Sequence, residues 1–233
     1  EALGVRIWPQ TGLGVQGDCA ALVVSTAVED KVPDVAAAKQ AGLPIVHRSE
    51  LLAHWVGGTR SIAIAGTSGK STVVAMVFEI LRGAGRDPSV ITGGDLVRLQ
   101  EAGLWGNAWA GKGDLLVVEA DESDGSLVRY RPAIGVVLNL SRDHKTEAEV
   151  ATMFAQMRAQ TRERFVCGDD PTLATFGFGS RTCGFTERAD VRGVDVELGS
   201  AGSTFAALGH RFALPAPGRH NVENALAAIA VCA

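Results

Sequence analysis

Short apolar runs, each closed by small or polar residues, alternate along this chain with stretches whose apolar positions recur at helical spacing. Val5–Trp8, Ala21–Ser25 and Pro44–His47 read as strands. Asp34–Gln40 and Ser49–Trp55 read as helices, with Ser49 the expected N-cap. Gly57-Gly58-Thr59 reads as a hinge, which divides the chain into units 1–58 and 59–233. Beyond it, Ser61–Ala65 is an apolar strand. Lys70–Arg82 follows as a helix through Val73, Val74, Val77, Ile80 and Leu81, stopped by Gly83 and Gly85. Val90–Thr92, Leu115–Glu119, Ile134–Leu138 and Arg164–Cys167 are further apolar runs, as in a parallel sheet covered on both faces. Ala148–Arg158 reads as a helix. From Thr175 to Leu214 alternation takes over, in Val194–Leu198, Thr204–Leu208 and Arg211–Leu214, which predicts a small antiparallel set. A last helix opens near Asn221. The predicted class is α/β, with a doubly wound, mostly parallel sheet and a small antiparallel β-subregion.

Composition narrows the partners. Of 233 residues, 46% are hydrophobic and 21% charged, and the net charge is −4. There is no broad basic field, so nucleic acid is not an expected partner. No apolar stretch approaches the roughly 18–20 residues of a membrane span, and no signal peptide opens the sequence, so membrane insertion is not expected either. Cys19, Cys167, Cys183 and Cys232 are scattered and form no C-x-x-C pair. They read as small buried hydrophobes in a reducing, cytoplasmic setting.

Chemistry concentrates where strands end. Gly66-Thr67-Ser68-Gly69-Lys70-Ser71-Thr72 lies between a strand and an amphipathic helix, the setting of a phosphate-binding P-loop. Glycines allow backbone N–H groups to turn toward an anion. The helix N-terminus adds about half a positive charge, and Lys70 a full one. Ser71 is placed to offer its hydroxyl to Mg²⁺. The common Walker spacing requires Gly where this chain has Ile64, so the loop is a shorter variant. Leu115–Glu119 delivers Glu119 at the end of a buried strand, where a charge calls for a partner. Asp121, Glu122 and Asp124 follow, either facing a ligand or forming a solvated acidic turn. Ile134–Leu138 runs into Asn139-Leu140-Ser141-Arg142-Asp143-His144, where His144 is a candidate metal ligand or phosphate contact with Asp143 behind it. Pro217-Gly218-Arg219-His220-Asn221-Val222-Glu223-Asn224 precedes the last helix. Its asparagines suit an adenine edge or a helix cap.

Taken together, these elements resemble the Mur ligase family. Gly66–Thr72 resembles its G-T-x-G-K-[ST]-[ST] motif and Asn139–His144 its N-x-x-x-D-H. Pro217–Ala225 resembles P-G-R-H-N-x-x-N-A, and Glu119–Asp124 is similar to the E-A-D-E-S-D of the branch acting on UDP-N-acetylmuramate and alanine. Val23–Ala27 and Gly42–Val46 resemble the later half of a Rossmann-like UDP-sugar-binding domain, giving 1–58 that identity and 59–233 that of the central ATPase domain. The resemblance implies an ATP- and Mg²⁺-dependent ligase that joins an amino acid, L-alanine, to a UDP-N-acetylmuramate-type nucleotide sugar through an acyl phosphate, in the cytoplasm. It assigns nucleotide binding to Gly66, Thr67, Ser68, Gly69, Lys70, Ser71, Thr72, Asn139, His220, Asn221 and Asn224. It assigns metal binding to Ser71, Glu119 and His144, and catalysis to Lys70, Glu119 and His144. A sibling activity, attaching a tripeptide to the same sugar, fits the same motifs. The family's usual H-[LM]-[DE] is replaced here by His144-Lys145-Thr146-Glu147, and no lysine follows Lys145. That departure motivates a second class of reading, a catalytically silent nucleotide-binding scaffold. Ile64 and the missing N-K-x-D weigh against a P-loop kinase or GTPase. The chain has no initiator Met and its last apolar helix has no polar tail, so it reads as an internal piece of a longer enzyme that alone binds nucleotide and forms little product.

Overall fold

The computed structural model describes residues 4–123, 125–141 and 145–233. The chain forms two compact units, Glu1–His54 and Trp55–Ala233. In the first, β1 (Leu22–Val24) and β2 (Ile45–His47) pair in parallel through the crossover helix α1 (Pro33–Gln40). Helix α2 (Arg48–Gly58) differs from expectation at both ends. It begins before Ser49, because the His47 ring does the capping. Its Nδ1 lies 3.3 Å from the Ser49 backbone N–H, which donates to it, and 2.7 Å from the Ser49 hydroxyl. Gly57 and Gly58 complete the helix instead of forming a hinge. The Thr59 N–H and hydroxyl both donate to the Trp55 carbonyl and carry the helical bonding to its end. Val5–Trp8 forms no strand. Val5 and Ile7 are exposed, and an extended segment without a pairing neighbour has nothing to hold it.

The second unit is built on eight strands: β3 (Arg60–Ala65), β4 (Ser89–Ile91), β5 (Ala108–Trp109), β6 (Leu115–Glu119), β7 (Ile134–Val137), β8 (Arg164–Gly168), β9 (Arg181–Gly184) and β10 (Val191–Arg192). Their order is β10-β9-β8-β7-β3-β6-β4-β5, parallel except for β4–β5. β3 is buried from Ser61 to Ala65 and lies between β6 and β7, with Ile64 opposite both Glu119 and Val136. From β3 the chain crosses through α3 (Lys70–Gly83) toward β4. From β7 it crosses through α5 (Glu147–Gln160) in the opposite direction, to β8. Right-handed crossovers therefore set α3 and α5 on opposite faces and make the end of β3 the point where the winding reverses.

α3 buries Val73, Val74, Val77 and Phe78 in the main core. α7 (Arg219–Cys232) packs beside it, opening before the expected Asn221. Two short helices, α4 (Val97–Glu101) and α6 (Ala174–Gly177), complete the unit. The antiparallel sheet is confined to β11 (Val194–Leu198), β12 (Ser203–Ala207) and β13 (His210–Leu214). β9 and β10, expected to belong to that region, instead extend the parallel sheet. Their Thr182 and Gly184 look like turn residues, but buried Cys183 pairs with Gly168 of β8.

α5 opens with a capping box. The Thr146 hydroxyl accepts from the Glu149 N–H while the Glu149 carboxylate accepts from Thr146. Those bonds, from the hydroxyl first and then the backbone, hold the Glu149 carboxyl below its ordinary pKa. Thr146→Ala removes the cap and should lower unfolding free energy by about 1 kcal/mol. Phe78→Ala empties a fully buried site and should lower it by about 3–5 kcal/mol. Urea denaturation of the two variants measures both.

Candidate active site

The loop leaving β3 is shaped by two glycines that no other residue replaces. Gly66 has φ 143° and Gly69 φ 86°. A Cβ on Gly66 would stand 3.0 Å from the Leu138 Cβ, and one on Gly69 only 2.5 Å from the Asn224 Oδ1. α3 begins at once, with Gly69 as its N-cap, no side chain capping it and no acid in its first turn. Its leading N–H groups and its dipole are therefore available to an anion.

Two carboxylates from the end of β6 meet this loop. Glu119 Oε2 accepts from the Ser71 hydroxyl at 2.9 Å, the Thr92 hydroxyl at 2.8 Å and the Gly93 N–H at 2.9 Å. Glu122 pairs with Lys70, whose Nζ lies 3.0 and 3.2 Å from the two carboxylate oxygens and 2.8 Å from the Gly66 carbonyl. The Glu119–Ser71–Thr92 cluster offers only hard oxygen donors. Among the described residues no group of three or more His, Cys, Asp or Glu converges on a point. Such a set fits Mg²⁺, which takes one or two protein ligands and completes its shell with phosphate and water.

The exit of β7 fastens the other side of the loop. The Asn139 side chain accepts the Ser68 N–H at 2.9 Å and donates to the Ser68 carbonyl at 3.0 Å. Thr67 donates its hydroxyl to the Ser141 carbonyl and accepts the Ser141 N–H. Asn139, read from sequence as a nucleotide contact, thus has its amide committed to the loop backbone. His144, Asp143 and Asp124 lie outside the described residues.

Beside the loop opens a cleft of about 550 Å³, within the range of small-molecule sites. Ser68, Gly69, Thr72 and Asn139 form one end, and His220, Asn221 and Asn224 of α7 line a wall. The Arg219 guanidinium stacks 3.8 Å above the Phe185 ring at the cleft edge. Asn224 is buried, and the Asn221 amide donates to the Pro217 carbonyl at 2.7 Å. Cys183 also lines the cleft, where burial pushes its thiol up to about 12. Burial thus disfavours the thiolate, which is the nucleophilic form. A second cavity of about 190 Å³ is lined by Thr67, Lys70, Asp121, Glu122, Ser123, Ser141 and Lys145, whose ammonium donates to the Ser123 carbonyl at 2.8 Å.

A glycine-shaped strand–loop–helix turn, with acids at the end of the neighbouring strand and at the reversal point of a parallel sheet, is the architecture of a P-loop α/β domain. Residues 64–232 match the Mur ligase middle domain, and the chain belongs to the Mur ligase family. It is 39% identical to a UDP-N-acetylmuramate–L-alanine ligase of Paenarthrobacter aurescens, covering 99% of this chain and 53% of that protein. To the enzyme of the same name from Rhodospirillum centenum it is 37% identical, covering 99% and 52%. The crystal structure of UDP-N-acetylmuramate–alanine ligase from Thermotoga maritima superposes with a TM-score of 0.83 at 25% identity, over 99% of this chain and 54% of that one. The chain spans about half the length of the curated relatives it matches.

Sequence reasoning paired Ser71 with Glu119 but missed Thr92, Gly93 and the Lys70–Glu122 pair. Thr92-Gly93-Gly94 follows a parallel strand, a signal that was present but unused. The clasp on Ser68 gives a direct test. Asn139→Ala removes two hydrogen bonds and should weaken ADP binding about tenfold, with the far-ultraviolet circular dichroism unchanged. Calorimetric titration with ADP measures the loss.

Proposed function

We propose that residues 59–233 bind ATP·Mg²⁺ as the central domain of a ligase that joins L-alanine to the carboxylate of UDP-N-acetylmuramate in cytoplasmic peptidoglycan synthesis. On this reading, 1–58 is the later half of the UDP-sugar-binding domain. The observation that carries it is Lys70 and Ser71 at a helix N-terminus, with Glu119 bonded to Ser71 at 2.9 Å. The relatives at 39% and 37% identity, both UDP-N-acetylmuramate–L-alanine ligases, support the choice of sugar and amino acid.

The chemistry follows from charge. ATP phosphorylates the sugar's carboxylate, the amine of alanine attacks the acyl phosphate, and ADP and phosphate leave. The N–H groups at the start of α3, from Gly69 to Thr72, and the Lys70 ammonium would hold the phosphates and offset charge that builds during transfer, while the Thr67 and Ser68 N–H groups are taken by Asn139. Ser71 and Glu119 would hold one Mg²⁺, and the family resemblance assigns His144, outside the described residues, to a second beside Glu119. Mg²⁺ supplies the neutralisation of phosphate charge that hydrogen bonds alone leave incomplete. His220, Asn221 and Asn224 line the adenine side of the cleft, and Asn139 acts through Ser68. No helix among the described residues is long and apolar enough to cross a membrane, which accords with substrates that are water-soluble.

The test uses the full-length protein. ADP release should depend on UDP-N-acetylmuramate and L-alanine together, and Lys70→Ala should lower it at least about a hundredfold. ADP release with L-alanyl-γ-D-glutamyl-diaminopimelate in place of alanine would assign the sibling activity. ATP binding without acceptor-dependent ADP release would reduce the protein to a scaffold.

A further inference from the structure

Three acceptors within the protein lie in hydrogen-bond reach of the Lys70 ammonium: the Gly66 carbonyl and both oxygens of Glu122. The pair is withdrawn from solvent, with the two side chains 13% and 9% exposed. Glu122 is held there from both directions. The Ala120 N–H donates to the Ile64 carbonyl and extends the β6–β3 ladder past Glu119. The Asp121 carboxylate then accepts the Ser123 N–H and hydroxyl at 3.0 and 2.8 Å, and the Gly125 N–H donates to the Glu122 carbonyl. Glu119 and Glu122 leave the same strand end with different tasks. Glu119 gathers uncharged donors, whereas Glu122 faces a charge.

We propose that Glu122 is the positioning residue for Lys70 and, as its counter-anion, sets how much of the ammonium's charge a bound phosphate receives. The proposal rests on the nucleotide reading above. Two effects of opposite sign follow. A lysine stem loses rotamer entropy when fixed. An ammonium fixed beforehand stabilises charge that develops during transfer without reorganising. The same carboxylate repels an anionic phosphate approaching that ammonium. Glu122 thereby weakens ground-state binding of ATP and raises turnover. A merely structural residue would not separate the two quantities.

The experiment compares full-length wild type, Glu122→Gln and Glu122→Asp by ATP affinity, kcat and melting temperature. Glu122→Gln keeps the shape and removes the charge. It should bind ATP about threefold tighter or more and lose about tenfold or more in kcat. Glu122→Asp keeps the charge on a shorter stem and should retain wild-type affinity with an intermediate kcat. Unchanged or weaker affinity in Glu122→Gln, or an unchanged kcat, overturns the proposal. Should Glu122→Gln fail to fold, Glu122→Asp decides: reduced kcat at wild-type affinity supports it, and wild-type kcat overturns it. A wild type that binds no ATP defeats the nucleotide reading and this inference with it, whereas wild-type binding with indifferent variants defeats the inference alone.

Discussion

Positive potential gathered at a partly buried helix terminus has to be balanced, and this requirement organises the second unit. α3 presents the N–H groups of its uncapped first turn beside Lys70, whose side chain is largely buried. Compensation comes from the neighbouring strand, because β6 lies hydrogen-bonded to β3 and ends level with it, Glu119 opposite Ile64. The loop between them stays in shape because β7, the other neighbour of β3, ends in Asn139 and Ser141, which clasp Ser68 and Thr67. Three adjacent parallel strands thus contribute the cradle, the carboxylates and the clasp. The sheet order places these parts together.

Much of this was legible from residue patterns, and the reason is burial. A central parallel strand is covered on both faces, so β3, β6 and β7 stand out as continuous apolar runs. The Gly-Lys-Ser-Thr turn after β3 and the acid ending β6 are visible for the same reason, since polar groups at the end of a buried strand call for partners. What stayed hidden depends on which strands become neighbours. Thr92 and Gly93 reach Glu119 because β4 pairs with β6, a relation no local pattern encodes. The same holds for Glu122 and Lys70, and for Asn139, whose amide bonds a backbone far away in sequence. β9 was lost for another reason: in Arg181–Gly184 only Cys183 is apolar, too little for a strand signal. Ser49 lost the capping role to the His47 ring, a choice set by a side-chain rotamer and invisible to propensity.

The cleft also limits the chemistry. Burial pushes its Cys183 thiol up, and its other polar groups are hydroxyls, amides, carboxylates, Arg219 and His220. That inventory suits the proposed holding of phosphate and the setting of charges in place. It accords with phosphoryl transfer, where positioning and neutralisation carry most of the catalytic effect.

In the proposed function, metal and phosphate are held together across the Ser71–Glu119 contact. The most direct measurement is calorimetric titration of ATP into wild type and Glu119→Gln, each with and without Mg²⁺. Mg²⁺ should tighten ATP binding to the wild type and have little effect on the variant. Equal tightening by Mg²⁺ in both proteins would contradict it.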